Sequence, residues 1–178
     1  MLTEFVRDHA FTIAWFGLMA FVWFGWGQED APRSWRWRLG VGSVLGVILA
    51  GIFGYLVARH WADGSAMVGR EALFGWLVGA ELLLAGVGCF VLWRRRLNRW
   101  MAWWVGLVVA FHFIPLAFIL DDLSLIGLGV LQAVGLVMLL PRLRNGDGPT
   151  SRLVGPVMGG TLLIFALVSV ATFLIKTA

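Results

Sequence analysis

Glu81, His112 and Gln132 are three of the few strongly polar side chains set inside the long apolar runs of this 178-residue chain. A carboxylate, an imidazole and a primary amide at one place can hold a proton, bind a cation or hydrogen-bond a small polar ligand. An ionised Glu facing lipid costs at least ~2.5–3.5 kcal/mol, so Glu81 is expected to face other helices, carry a proton or be paired. The stretch AFHFIPLAFILDD, Ala110 to Asp122, adds Pro115 one turn outward of His112. Proline removes a backbone donor and frees the carbonyl four residues earlier, here that of Phe111. An opened helix beside a polar side chain is a common way to build an ion or ligand site in transporters and channels. The candidate ligand-binding set is therefore Glu81, His112, Gln132, Phe111 and Pro115. Tyr55 joins it because, with His9, Asp121 and Asp122, it would mark a polar path to the outer surface. Two plainer readings stand beside this one: a structural kink at Pro115, and a buried polar lock that sets helix register without any ligand.

The elements that must position these residues follow from composition. Hydrophobic residues make up 60% of the chain and charged residues 13%, about half the charge of an ordinary soluble domain. Too little polar surface remains to cover a globule, so lipid is the expected solvent. Six apolar runs at about 9–27, 39–58, 72–93, 101–120, 123–140 and 153–175 predict an all-α, six-helix transmembrane domain spanning 1–178. His112, Glu81 and Gln132 each lie some eight or nine residues from the outer end of their span, roughly 12–13 Å down. Depth thus predicts a Glu81–His112–Gln132 cluster in the outer half of the bundle.

Orientation follows from the cations. Arg33, Arg36, Arg38, Arg94, Arg95, Arg96, Arg99, Arg142, Arg144 and Arg152 fall on one side, against Arg7, Arg59, Arg70 and Lys176 on the other. The positive-inside bias puts the first group in the cytoplasm and both termini outside. Trp26, Trp35, Trp37, Trp93, Trp100, Trp103 and Trp104 are expected as an aromatic belt at the inner interface. There, Glu29 or Asp30 is expected to pair with Arg33 or Arg36. Small residues at four-residue spacing predict close helix contacts: Gly42, Gly46, Ala50 and Gly54; Gly75 and Gly79; Gly155 and Gly159.

An internal similarity suggests a duplication. AWFGLMAFVWF (Ala14 to Phe24) lays on AWWVGLVVAFHF (Ala102 to Phe113) with one inserted residue, and GWLVGAELL (Gly75 to Leu83) on GPVMGGTLL (Gly155 to Leu163). Two three-helix halves, 1–98 and 99–178, would be related by a 3+3 inverted repeat, a plan common in transporters. Chance alignment among Gly-, Ala-, Leu- and Trp-rich runs is the alternative.

Soluble-enzyme motifs are missing: there is no Walker A loop, G-x-G-x-x-G, H-E-x-x-H or G-x-S-x-G. Cys89 is the single cysteine, so neither an intrachain disulfide nor a Cys/His zinc site is expected. The first apolar run lacks a small-residue cleavage site and is not read as a signal peptide. No cofactor is expected; for a haem, one mid-span histidine supplies one axial ligand at most. The arginines, set between apolar runs, read as anchors for anionic lipid headgroups and not as a nucleic-acid surface.

FVWFGWGQED and FHFIPLAF together resemble a group of small uncharacterised bacterial six-helix membrane proteins that carry W-F-G-W-G-Q-E at the end of the first helix and H-F-x-P-L-A in the fourth. The resemblance implies a bacterial inner-membrane protein and adds no catalytic residue. Three functions are weighed. The first is a small transporter or channel for a small ligand or ion. The second is a non-catalytic accessory or assembly subunit, with a sealed core and an apolar patch for a partner or a second copy. The third is a membrane enzyme acting on a lipid or quinone, which would need a side opening to lipid and a second catalytic polar group.

Overall fold

The computed structural model describes residues 5–177. It consists of α1 (Val6–Gly27), α2 (Arg33–Arg59), α3 (Glu71–Arg94), a 3₁₀ turn at Asn98–Trp100, α4 (Met101–Ile119), α5 (Ser124–Asn145) and α6 (Ser151–Thr177). All six α-helices are long and apolar enough to cross a membrane, so the chain is an all-helical, multi-pass membrane protein. Helices satisfy every backbone group internally, which is what the hydrocarbon layer demands.

The helices extend past the apolar runs. α2 begins at Arg33, so Arg33, Arg36 and Arg38 lie on its first turns, and α5 continues through Pro141 to Asn145. Hydropathy marks the lipid-immersed part of a helix. The hydrogen-bonded part continues into the headgroups, where arginines reach water along their stems.

α1 and α6 form the centre, with α2 against α1 and α4 and α5 against α6. Gly27 and Gly155 allow one close approach. A Cβ at Gly155 would sit 2.5 Å from Gly27 Cα and 2.6 Å from the Trp23 carbonyl oxygen, so α1 and α6 meet backbone to backbone. On the other side of α1, a Cβ at Gly17 would lie 2.7 Å from the Gly46 carbonyl oxygen of α2. Phe16 then fills the space between helices, edge-to-face with Phe113 of α4 at 5.7 Å and Phe165 of α6 at 5.2 Å.

α3 is different. None of its residues is buried, and its main packing is against α4. Gly75 and Gly79, expected to mark a close contact, have nothing within 4 Å of a Cβ, and Gly54 of α2 is equally open. Their counterparts in the aligned stretch, Gly155 and Gly159, are tightly packed against α1. α3 and α6 would be equivalent helices in an inverted repeat. Yet α6 packs against α1, α2, α4 and α5, while α3 lies at the edge, so the packing does not display that equivalence.

On the arginine-rich face, Thr150 Oγ1 donates to the Arg99 carbonyl at 2.6 Å, and Arg99 donates to the carbonyls of Leu143, at 2.7 Å, and Gly146. Glu29 accepts from Ser151 Oγ at 2.7 Å, and Asp30 lies 3.7 Å from Arg152. The two carboxylates are thus taken up by the start of α6, and not by Arg33 or Arg36. The Gly27–Gly155 contact explains this, because it brings the end of α1 directly onto the first turns of α6. On the opposite face Arg70, just before α3, bonds the Asp121 carboxylate at 2.6 Å and the Ile119 carbonyl at 2.8 Å.

Candidate functional site

Four residues of the expected set meet at one place. α3 presents Glu81 and α4 presents His112, with Nε2 and Oε2 3.7 Å apart and both side chains mostly shielded, 20% and 13% exposed. They lie in a groove of about 310 Å³ between the two helices, whose walls include Leu77, Leu84, Trp104, Leu107, Phe111 and Pro115. The rest of the wall is also apolar, so the pair is its polar feature. Leu84 and Phe111 are each more than half exposed, so the groove opens sideways, where the lipid chains would lie.

The geometry of His112 restricts its chemistry. Its Nδ1 donates to the Val109 carbonyl at 3.3 Å. A carbonyl only accepts, so the proton of a neutral ring resides on Nδ1 and Nε2 offers a lone pair toward Glu81. A carboxylate oxygen and a bare Nε2 are both acceptors and repel unless a proton is shared. With one additional proton the pair is neutral overall, either as imidazolium–carboxylate or as imidazole–carboxylic acid. At 3.7 Å the atoms are beyond direct hydrogen-bond distance. The pair therefore suits a bridging group.

Two ties hold α3 against α4 at either end of this groove. At the end nearer the arginine-rich face, Trp104 Nε1 donates to the Leu84 carbonyl at 3.1 Å. Gly88 lies one turn beyond Leu84, and a Cβ there would overlap Trp104 Nε1 and Cε2, so only glycine leaves room for the indole. At the opposite end stands the Arg70 clamp on Asp121 and Ile119. Trp103 makes the matching tie on the other side of α4, donating to the Leu136 carbonyl of α5 at 3.2 Å. Neither tryptophan acts solely as a headgroup anchor: with no water in hydrocarbon, the indole N–H takes a backbone carbonyl instead.

Gln132 and Tyr55 are placed elsewhere. Gln132 is fully buried and its Nε2 donates to Thr161 Oγ1 of α6 at 3.1 Å. Its buried neighbours along α5, Leu125, Leu128, Gly129 and Leu136, repeat at three- and four-residue steps and turn that face inward. Gln132 is thus at the expected depth on the wrong side of the helix to join the pair. Tyr55 is exposed on the outer flank of α2. His9 is buried near α6, where Nε2 donates to the Ser169 carbonyl at 3.0 Å. Asp122 accepts from Ser124 N at 3.0 Å at the start of α5, and Asp121 is held by Arg70. These groups belong to local contacts on several helices and do not form one path from the pair to the outer surface. α4 itself runs unbroken through Pro115, which lines the groove with the Phe111 ring.

Thr161 was not among the expected residues. The signal for it was the internal alignment, which sets Thr161 of GPVMGGTLL opposite Glu81 of GWLVGAELL. No protein-family model, curated protein or solved structure matches the chain.

Proposed function

We propose that this chain is a small transporter or channel of a bacterial inner membrane, with both termini outside, and that its ligand or ion engages the Glu81–His112 pair. The observation that carries the reading is the 3.7 Å approach of two ionisable side chains within apolar spans, beside a groove. Intramembrane ionisable groups are costly to keep and are functional candidates by default. The two stretches resembling small bacterial membrane proteins support the bacterial inner membrane, and the arginine asymmetry supports the orientation.

The test is proton flux into pyranine-loaded proteoliposomes after an acid pulse. Wild-type protein should carry flux that Glu81→Gln and His112→Ala lose while remaining folded. Unchanged flux would remove the pair from the pathway. Variants that chiefly lose stability, by roughly 1–3 kcal/mol for a stranded buried partner, would identify a lock.

A second reading, an accessory subunit, is favoured by one feature. α3 buries none of its residues and exposes Trp76, Leu82, Leu83, Phe90 and Trp93. Co-purification of a defined partner protein, lost on Trp76→Ala, would support it.

A further inference from the structure

We propose that the ligand of the Glu81–His112 pair is a neutral amphiphile with a single hydroxyl head, reaching the pair sideways from the bilayer along the α3–α4 groove. The inference rests on reading the pair as a ligand site and goes further by naming the chemical class.

Three observations converge. First, the groove has one polar node and apolar walls, including Leu77, Leu84, Leu107 and Phe111, so it matches a molecule with one polar end and a hydrocarbon body. Its volume of about 310 Å³ lies at the lower end of the range for small-molecule sites. Second, the entrance is lateral. Leu84 and Phe111 are largely exposed and α3 has no buried residue, so no other helix closes the groove on that side. Third, the pair in its neutral, proton-sharing state takes a group that both donates and accepts. An oxygen set to one side of the 3.7 Å gap can lie within about 2.7–3.0 Å of both atoms. If the shared proton is on His112, that oxygen accepts from Nε2–H and donates to the carboxylate. If it is on Glu81, the oxygen accepts from the carboxylic acid and donates to Nε2. A hydroxyl does both without changing its own charge. Once the pair shares a proton, an ammonium, which only donates, and a carboxylate, which only accepts, each face one atom they cannot serve, and each brings a charge that the neutral pair leaves uncompensated in an apolar wall.

The test uses four 16-carbon probes with the same photoactivatable diazirine near the chain end: an alcohol, an alkane, a carboxylic acid and an amine. Each is incorporated into phosphatidylcholine vesicles with the full-length protein, irradiated, and the labelled residues mapped by mass spectrometry. The alcohol should label the groove walls roughly fivefold more than the alkane, the factor expected from about one net hydrogen bond. Unlabelled hexadecanol should compete. In a Glu81→Leu/His112→Leu variant the excess should vanish, while labelling of the lipid-facing residues Val44, Ile48 and Ile52 on α2 stays unchanged and reports an intact bundle. Equal labelling by alcohol and alkane overturns the hydroxyl assignment. An excess for the acid or the amine that depends on the pair also overturns it, but leaves the pair as a ligand site. No pair-dependent excess for any probe, together with flux that ignores the pair, overturns both readings.

Discussion

Gly88 is the residue through which the attachment of α3, and with it the groove, is most directly tested. In Gly88→Ala the new methyl would fall onto Trp104 Nε1 and Cε2, closer still than the 2.6 Å to Cδ1, where ordinary carbon contacts are about 3.5–4.0 Å. The ring must retreat by roughly 1.5 Å or more. The Trp104–Leu84 hydrogen bond, 3.1 Å long, would then be stretched beyond hydrogen-bonding distance. Overpacking costs roughly 1–3 kcal/mol, and an interhelical hydrogen bond in a membrane about 0.6–2 kcal/mol. Against this, alanine recovers roughly 0.5–1 kcal/mol of helix preference. The net expectation is a loss of roughly 0.6–4.5 kcal/mol in the docking of α3. Gly86→Ala is the matched control, two residues away with nothing within 4 Å of its Cβ, and should be neutral or slightly stabilising. Backbone hydrogen exchange in nanodiscs reads the difference. Amides of α3 should exchange about 3- to 2,000-fold faster in Gly88→Ala than in the wild type, with α1 and α6 unchanged. If Gly88→Ala and Gly86→Ala exchange alike, Trp104 does not tie α3 to α4 and the groove has no defined inner wall.

Gly155→Ala should lower the unfolding free energy in mixed micelles by roughly 1–3 kcal/mol, because its methyl meets Gly27 backbone that cannot move aside. Gly160→Ala, in open space, should not lower it. Gln132→Leu should change stability by less than about 1 kcal/mol. Thr161 keeps its bonds to the Val157 and Met158 carbonyls, and the buried Gln132 Oε1 has no hydrogen-bond partner to lose. A severe loss on thermal unfolding would mean that the Gln132–Thr161 bond ties α5 to α6 far more strongly than one hydrogen bond should. For orientation, alkaline phosphatase fused after Ala178 should be active and green fluorescent protein at the same place dark; the reverse pattern would put the arginine-rich face outside.

By itself the sequence determined six membrane helices, because an 18-residue apolar run has no other stable state in oil or water, and this needs only composition along the chain. It also determined depth. Counting residues from the ends of the third and fourth spans that lie away from the arginine-rich loops placed Glu81 and His112 in one layer, and they do meet. The same count placed Gln132 there, and it does not join them, because depth advances 1.5 Å per residue while each residue also turns the side chain by 100°. Which way a helix is rotated depends on its neighbours. Those neighbours are chosen by contacts that no local pattern states: Gly27 against Gly155, Gly88 under Trp104, Arg70 on Asp121. Glycine pairs illustrate the limit. Gly75 and Gly79 carry the same spacing as Gly155 and Gly159, yet only the latter face another helix. A small-residue stripe permits close approach, and tertiary structure decides whether anything approaches. The lateral opening of the groove belongs to the same class. It exists because α3 packs on α4 alone of the long helices it meets appreciably, an arrangement of six nearly interchangeable apolar cylinders that only their mutual packing selects.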